Sequence, residues 1–115
     1  MEIKKAPRQG DIILMDFNPS LGHEQKGYRP GLIINHPLLS KTSPFVWIVP
    51  ISSGNYQHPS HVKLDNRTKT QGTIFIEQLG TYDYQFRNLK IVEKIPDDLL
   101  KTVLNKTSNL LTITD

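Results

Sequence analysis

At 115 residues the chain is long enough to bury one core and too short for a second of ordinary size, and its 14 Lys and Arg against 11 Asp and Glu leave a net charge of +3, which suits a polyanionic partner without requiring one. No cysteine is present, which excludes a disulfide framework and any thiolate zinc site. The opening MEIKKAPRQGD has no apolar stretch of signal-peptide type, and no apolar run nears the roughly 18 residues of a membrane span, so the expectation is a single domain over residues 1–115, cytoplasmic and without a membrane partner.

In chain order, DIILMDF at residues 11–17 is short, apolar and closed by Asn18-Pro19-Ser20, which favours a strand over a helix. GLIIN at 31–35 resumes the apolar pattern after a polar loop. FVWIV at 45–49, bracketed by Pro44 and Pro50, predicts a third, largely buried strand that Ile51 extends. Val62 and Leu64 alternate with His61, Lys63 and Asp65, and Ile74 and Ile76 with Phe75 and Glu77, the period-two pattern of half-buried strands. Residues 89–95 give a sixth run. Only the tail predicts a helix: Pro96 suits the first helical position, Asp97 and Asp98 suit the positive N-terminal end, and Leu99, Leu100, Val103 and Leu104 fall at helical spacing. Eight prolines and seven glycines between short strands, with no internal repeat, give a mostly β (α+β) fold class: a small, bent antiparallel barrel or sandwich with a docked C-terminal helix.

The loop GHEQKGYRP at residues 22–30 concentrates the polar chemistry. Gly22 and Gly27 have the spacing that begins a phosphate-binding P-loop, but Tyr28 stands where lysine is needed and Pro30-Gly31 opens a strand instead of a helix, so that reading is rejected. His58 and His61 are three apart, with His23 and His36 elsewhere, but they share no helix face, and no metal site or cofactor is expected. No G-x-S-x-G elbow frames a serine nucleophile, and Ser52-Ser53-Gly54 reads as a source of binding hydroxyls. Arg29 remains, at the mouth of a strand, with Glu24 five residues earlier able to pair with it. A planar guanidinium grips phosphate and neutralises charge that develops in phosphoryl transfer; an ion pair that only orders the loop is the alternative.

GDIILMDFNPSLGHEQKGYRPGLII at residues 10–34 resembles the N-terminal signature of the MazF/PemK (Kid-like) family, the mRNA interferases of toxin-antitoxin modules. The Asp16-Phe17-Asn18-Pro19 turn, the G-x-E-Q-x-G-x-R-P loop, Val49-Pro50-Ile51-Ser52-Ser53, Glu77-Gln78-Leu79-Gly80-Thr81-Tyr82-Asp83 and the Ile95-Pro96 helix start agree in order, over nearly the whole chain. The resemblance implies an SH3-like barrel with a C-terminal helix, the fold shared with toxins that poison gyrase. It also implies a homodimer, and metal-independent cleavage of single-stranded RNA by the ribose 2′-hydroxyl, giving 2′,3′-cyclic phosphate and 5′-hydroxyl ends.

On the matching positions, Arg29 would stabilise the pentacoordinate phosphate, Ser52 would hydrogen-bond a phosphate oxygen, Glu24 would orient Arg29 or accept a proton, and His23 would act as a base. Gln25, Lys26, Tyr28, Ser53, Gln78 and Asp83 would contact RNA, and Tyr28, Tyr56, Phe75 and Tyr82 are candidate stacking platforms. Base preference would lie around residues 18–28 and 53–61. Where the family often carries a cation before T-x-D, this chain has Gly80, and Lys26, Arg67, Lys69 or Arg87 are the candidate replacements. A cognate antitoxin with an acidic C-terminal segment is the expected partner. The rivals are a gyrase poison, whose tail ends in tryptophan, glycine and an aliphatic residue where this chain ends LTITD, and an RNA-binding module without cleavage.

Overall fold

The computed structural model describes residues 5–17, 27–54 and 57–114. Among these residues the elements are β1 (Asp11–Asp16), β2 (Tyr28–Ile33), α1 (Pro37–Thr42), β3 (Phe45–Ser52), β4 (His61–Lys63), β5 (Thr73–Phe75), a 3-10 turn (Ile76–Gln78), β6 (Gly80–Asp83), β7 (Lys90–Lys94) and α2 (Asp97–Asn109). The strands pair antiparallel in the order β4-β5-β3-β2-β1-β7, with β6 also on β3. β3 is the hub. One edge takes β2, and the other takes β6 along its first half, from Phe45↔Asp83 to Ile48↔Gly80, then β5 at Ile51↔Ile74 and Ser52↔Thr73.

Two prolines sit inside this sheet without breaking it. The Ile34 amide donates to the Trp47 carbonyl at 3.0 Å, so by alternation Gly31 and Pro50 form a pair that exchanges no hydrogen bonds. The missing N–H of Pro50 therefore faces the opposite edge, where β6 has ended and β5 has not begun. By the same alternation Pro30 turns its missing N–H toward β3, where the ladder has stopped at Gly31; Tyr28, Arg29 and Pro30 pair with β1 alone. β2 and β3 thus part at the end that carries Arg29 and Ser52.

Both faces of the central part of β1, β2 and β3 are covered, while Tyr28, Phe45 and Trp47 are exposed. Ile12, Leu32, Ile34, Val49 and Ile51 join Val62, Leu64, Ile74, Ile76, Ile95 and Val103 in one cluster, closed by Leu99, Leu100 and Leu104 of α2. Ile13, Met15, Phe17, Ile33, Val46, Ile48 and Tyr84 form the second, against which Ala6, Tyr82 and Leu89 pack. Successive strand residues face opposite ways, so the unbroken apolar runs of the sequence mark strands buried on two sides. Each fully buried aliphatic side chain contributes about 1.5–3 kcal/mol. No helix among the described residues is long and apolar enough to cross a membrane.

The mostly β, α+β class with an antiparallel sheet and a C-terminal helix stands, and the described pairings leave the sheet path open. Three expectations change. A second helix exists: Pro37 opens α1, and His36 caps it by accepting the Leu38 amide on Nδ1 at 3.0 Å, in place of the usual Ser, Thr or Asp. The strand expected through Ile76 stops at Phe75 and turns 3-10, and Gly80–Asp83 forms a further strand. His61 and Phe75, expected on an outer polar face, are buried.

The connection between β4 and β5 is held by carboxylates. Arg67 bridges Asp65 at 2.9 Å and Asp98 of α2 at 2.8 Å, and these bonds hold both acids below the ordinary carboxylate range. Glu93 of β7 accepts the amides of Lys69 (3.0 Å) and Thr70 (2.7 Å) and the Thr70 hydroxyl (2.8 Å). Burial works to raise the Glu93 carboxyl, but the bonds from Thr70 and Lys69 outweigh it, and the net direction is downward. A lowered folded value means stability present above the unfolded value of about 4.3 and lost as pH falls through the folded one. Glu93→Gln is therefore expected to cost about 1 kcal/mol at neutral pH, allowing for partial exposure. Thermal melts across pH 2.5–7 will show the gap to wild type closing below roughly pH 4.

Candidate active site

Cross-strand register builds a row of side chains at the C-terminal end of β3. Lys63 pairs with Thr73, and Thr73 with Ser52. Continuing the β2–β3 register two residues past Gly31↔Pro50 places Arg29 across the opening from Ser52, and side chains of paired residues share a face. Lys63, Thr73 and Ser52 thus share one face, and Arg29, paired with Met15 of β1, stands beyond the last β2–β3 pair at the same end of the sheet. Beside them lies a cavity of about 470 Å³ lined by Ser53, Gly54, Gln57, His58, His61, Lys63, Gly72 and Thr73, within the size range of small-molecule sites.

One carboxylate organises the cavity wall. Glu77 accepts from His61 Nε2 on Oε2 at 2.7 Å and from the Ser60 hydroxyl on Oε1 at 3.2 Å, and Ser60 Oγ lies 2.7 Å from His58 Nδ1. The His61 ring stacks on Phe75 with centroids 4.2 Å apart and a 17° interplanar angle. Lys106 of α2 donates to the carbonyls of Pro59 (2.7 Å) and His61 (3.1 Å), pinning this segment from behind. Desolvation works to raise the Glu77 carboxyl, but the bond from His61, a backbone bond at Glu77, the His61 charge and Ser60 prevail, and it lies below its ordinary value. An ionised carboxylate only accepts, so His61 Nε2 carries a proton.

The residues singled out in the sequence divide three ways. Arg29, Ser52 and Ser53 stand at the opening or the cavity, and Tyr28, 62% exposed, begins β2 opposite Asp16. Gln78 ends the 3-10 turn beside Glu77. Asp83 is not brought to them: it pairs with Phe45 at the far end of β3, about 23 Å of strand from Ser52, where Oδ1 accepts the amides of Gln85 (2.9 Å) and Phe86 (3.1 Å). His23, Glu24, Gln25, Lys26 and Tyr56 lie outside the described residues. The Phe17 amide donates to the Gly27 carbonyl at 2.9 Å.

Of the candidate replacement cations, Arg67 is engaged by two aspartates, while Arg87 lies 5.1 Å over the Tyr82 ring and donates to the Asp16 carbonyl at 3.0 Å. Tyr82 packs edge-on against Phe17, and Phe75 lies under His61, so neither ring is presented as a platform. Tyr82 also explains Gly80, because a Cβ there would meet the Tyr82 hydroxyl at 2.8 Å. Lys63, Thr73, Glu77 and Gly72 were not picked out from the sequence as site residues; Lys63 carried only the signal of period-two alternation.

Gly72 brings β5 against the end of β3. Its φ is +129°, and a Cβ on it would stand 2.5 Å from the Ser52 carbonyl oxygen. Gly72→Ala is expected to lose roughly 1–3 kcal/mol or more, read by urea denaturation. At Gly54 an added Cβ would meet only Ser52 Oγ, at 3.8 Å, and Gly54→Ala is expected to unfold near wild type.

Residues 8–111 match the family described as PemK-like, MazF-like toxin of type II toxin-antitoxin system. The chain is 32% identical to endoribonuclease PemK of Escherichia coli, over 95% of this chain and 85% of that protein. It is 35% identical to endoribonuclease MazF of Staphylococcus epidermidis over 66% of this chain and 68% of the relative. The crystal structure of MazF from Deinococcus radiodurans superposes with a TM-score of 0.86 at 25% identity, covering 94% of this chain and 98% of that one. A MazE-MazF complex from the same organism aligns at 0.80 with 20% identity, over 96% of this chain and 100% of that one. With a family match over residues 8–111 and this fold, the chain belongs to the PemK-like, MazF-like toxins of type II toxin-antitoxin systems.

Proposed function

We infer that this chain is the endoribonuclease of a toxin-antitoxin module, acting on single-stranded RNA in the cytoplasm, without a metal, as a homodimer. The observation that supports this reading is the register-paired row Lys63, Thr73 and Ser52, with Arg29 just beyond the last β2–β3 pair and a cavity beside them. Such a row offers cations and hydroxyl donors to a phosphate, while the cavity has room for an unpaired base. In the reaction the ribose 2′-oxygen bonds to the adjacent phosphorus and the bond to the 5′-oxygen breaks. The 2′-proton passes to a base, and the leaving 5′-oxygen takes a proton from an acid.

Arg29 stabilises the charge that builds on the equatorial oxygens, and Ser52 donates to one of them. His23 and Glu24 serve as the base and as the group that orients Arg29. Gln25, Lys26, Tyr28, Ser53 and Gln78 contact the RNA chain, and Asp83 enters this reading as a contact at the far end of β3. Lys63 supplies a phosphate-binding cation that Gly80 does not. The same basic face suits the acidic C-terminal segment of an antitoxin, which would occupy the groove in competition with RNA.

Purified protein incubated with long single-stranded RNA in excess EDTA is expected to give discrete fragments ending in 2′,3′-cyclic phosphate, read by end-group analysis. Arg29→Ala is expected to lower the rate by roughly 100-fold or more, and Ser52→Ala by about 10-fold. Fragments with 3′-hydroxyl ends, or intact RNA from folded protein on several sequences, would overturn the reading and favour the non-enzymatic alternatives.

A further inference from the structure

We propose that Glu77 sets which nucleotide the site accepts, by holding the two cavity imidazoles, His58 and His61, in fixed positions. The proposal rests on the ribonuclease reading above. Both rings line the cavity, and Glu77 reaches both: His61 directly at 2.7 Å, and His58 by way of Ser60, whose hydroxyl stands 3.2 Å from Glu77 Oε1 and 2.7 Å from His58 Nδ1 and whose amide donates to that Nδ1 at 3.1 Å. The His61 side chain is 4% exposed, and its second face is taken by Phe75, so its part is to shape the wall and not to meet the reacting atoms. Glu77 itself does not line the cavity.

A base entering a cavity of this kind is told from another by donors and acceptors on its edge, and a ring that turns presents a different pattern. Two independent supports keep the rings in register with that edge. Lys106 grips the backbone of residues 59–61 from α2, and Glu77 grips the side chains from the 3-10 turn. Only a carboxylate accepts on both oxygens. In Glu77→Gln the amide nitrogen either opposes His61 Nε2–H or donates to the Ser60 hydroxyl, so the charge-assisted bond to His61 is lost or weakened to a neutral one.

The test maps the 5′-hydroxyl ends left in one long RNA by wild type, Glu77→Gln, His61→Ala and His61→Gln. Initial rates on short substrates that differ at one nucleotide supply kcat and KM. The folds are checked by amide NMR spectra. Glu77→Gln is expected to lower discrimination at one position of the cut site by about 10-fold, with the loss carried by KM more than by kcat. His61→Ala is expected to do the same. His61→Gln, whose side-chain amide donates from a similar reach, is expected to restore the wild-type cut pattern. An unchanged pattern with a loss in kcat alone would overturn the proposal and place Glu77 in the chemistry. An unchanged pattern with unchanged constants would reduce it to a structural anchor. If wild type cuts no RNA, the ribonuclease reading fails, and the proposal falls with it. If wild type cuts with selectivity that Glu77→Gln preserves, the proposal alone fails.

Discussion

The structure depends on one strand being satisfied on every side. β3 is paired on both edges, and its side chains enter a different apolar cluster on each face. A strand in that position tolerates little: a residue slip would exchange the two clusters, and a proline on the wrong parity would leave a buried carbonyl without a donor. Pro50 falls on the tolerated parity, at the changeover from β6 to β5. That changeover turns the end of β3 away from β6 and toward the short β4–β5 pair, whose residues Lys63 and Thr73 complete the site.

The site therefore sits where the constraint is released. Beyond Gly31 the β2–β3 ladder ends, β2 continues on β1 alone, and the end of β3 meets β5 on one side and, among the described residues, no strand on the other. An opening framed by rigid strands holds cations and hydroxyls at fixed spacing, which favours pre-organised charge stabilisation over adaptable loop contacts. Behind it, the Glu77 network and Lys106 fix the cavity wall, and Arg67 and Glu93 hold the connection that delivers Gly72 and Thr73. Among the described residues, no buried side-chain nitrogen or oxygen lacks a hydrogen-bond partner, as such a wall requires.

Much of this was legible in the sequence, and the failures have physical causes. The apolar runs located β1 and β3, and the tail pattern located α2, because burial shapes each; the run at residues 89–95 located β7 although none of its strand residues is buried. α1 escaped because its cap is a histidine and its six residues are too few to show a period. The 3-10 turn escaped because Ile74, Phe75 and Ile76 are all buried, so alternation was read where none existed. Arg29 and Ser52 stood out through spacing resemblance, whereas Lys63, Thr73 and Glu77 become site residues only through register and tertiary contact, which single-sequence patterns do not carry. Gly80, which looked like the loss of a cation, is explained by the ring of Tyr82 lying against it.

The central claim is that RNA enters at the end of β3. Amide and imidazole NMR spectra of Arg29→Ala protein, recorded while a short single-stranded RNA is titrated in at low salt, test it most directly. The account predicts the largest shifts at Ser52, Ser53, Gly54, Lys63, Gly72 and Thr73, with the rings of His58 and His61 moving alongside. Shifts confined to the outer face of α2 or to Ile91 and Val92 of β7, with the end of β3 unmoved, would contradict it.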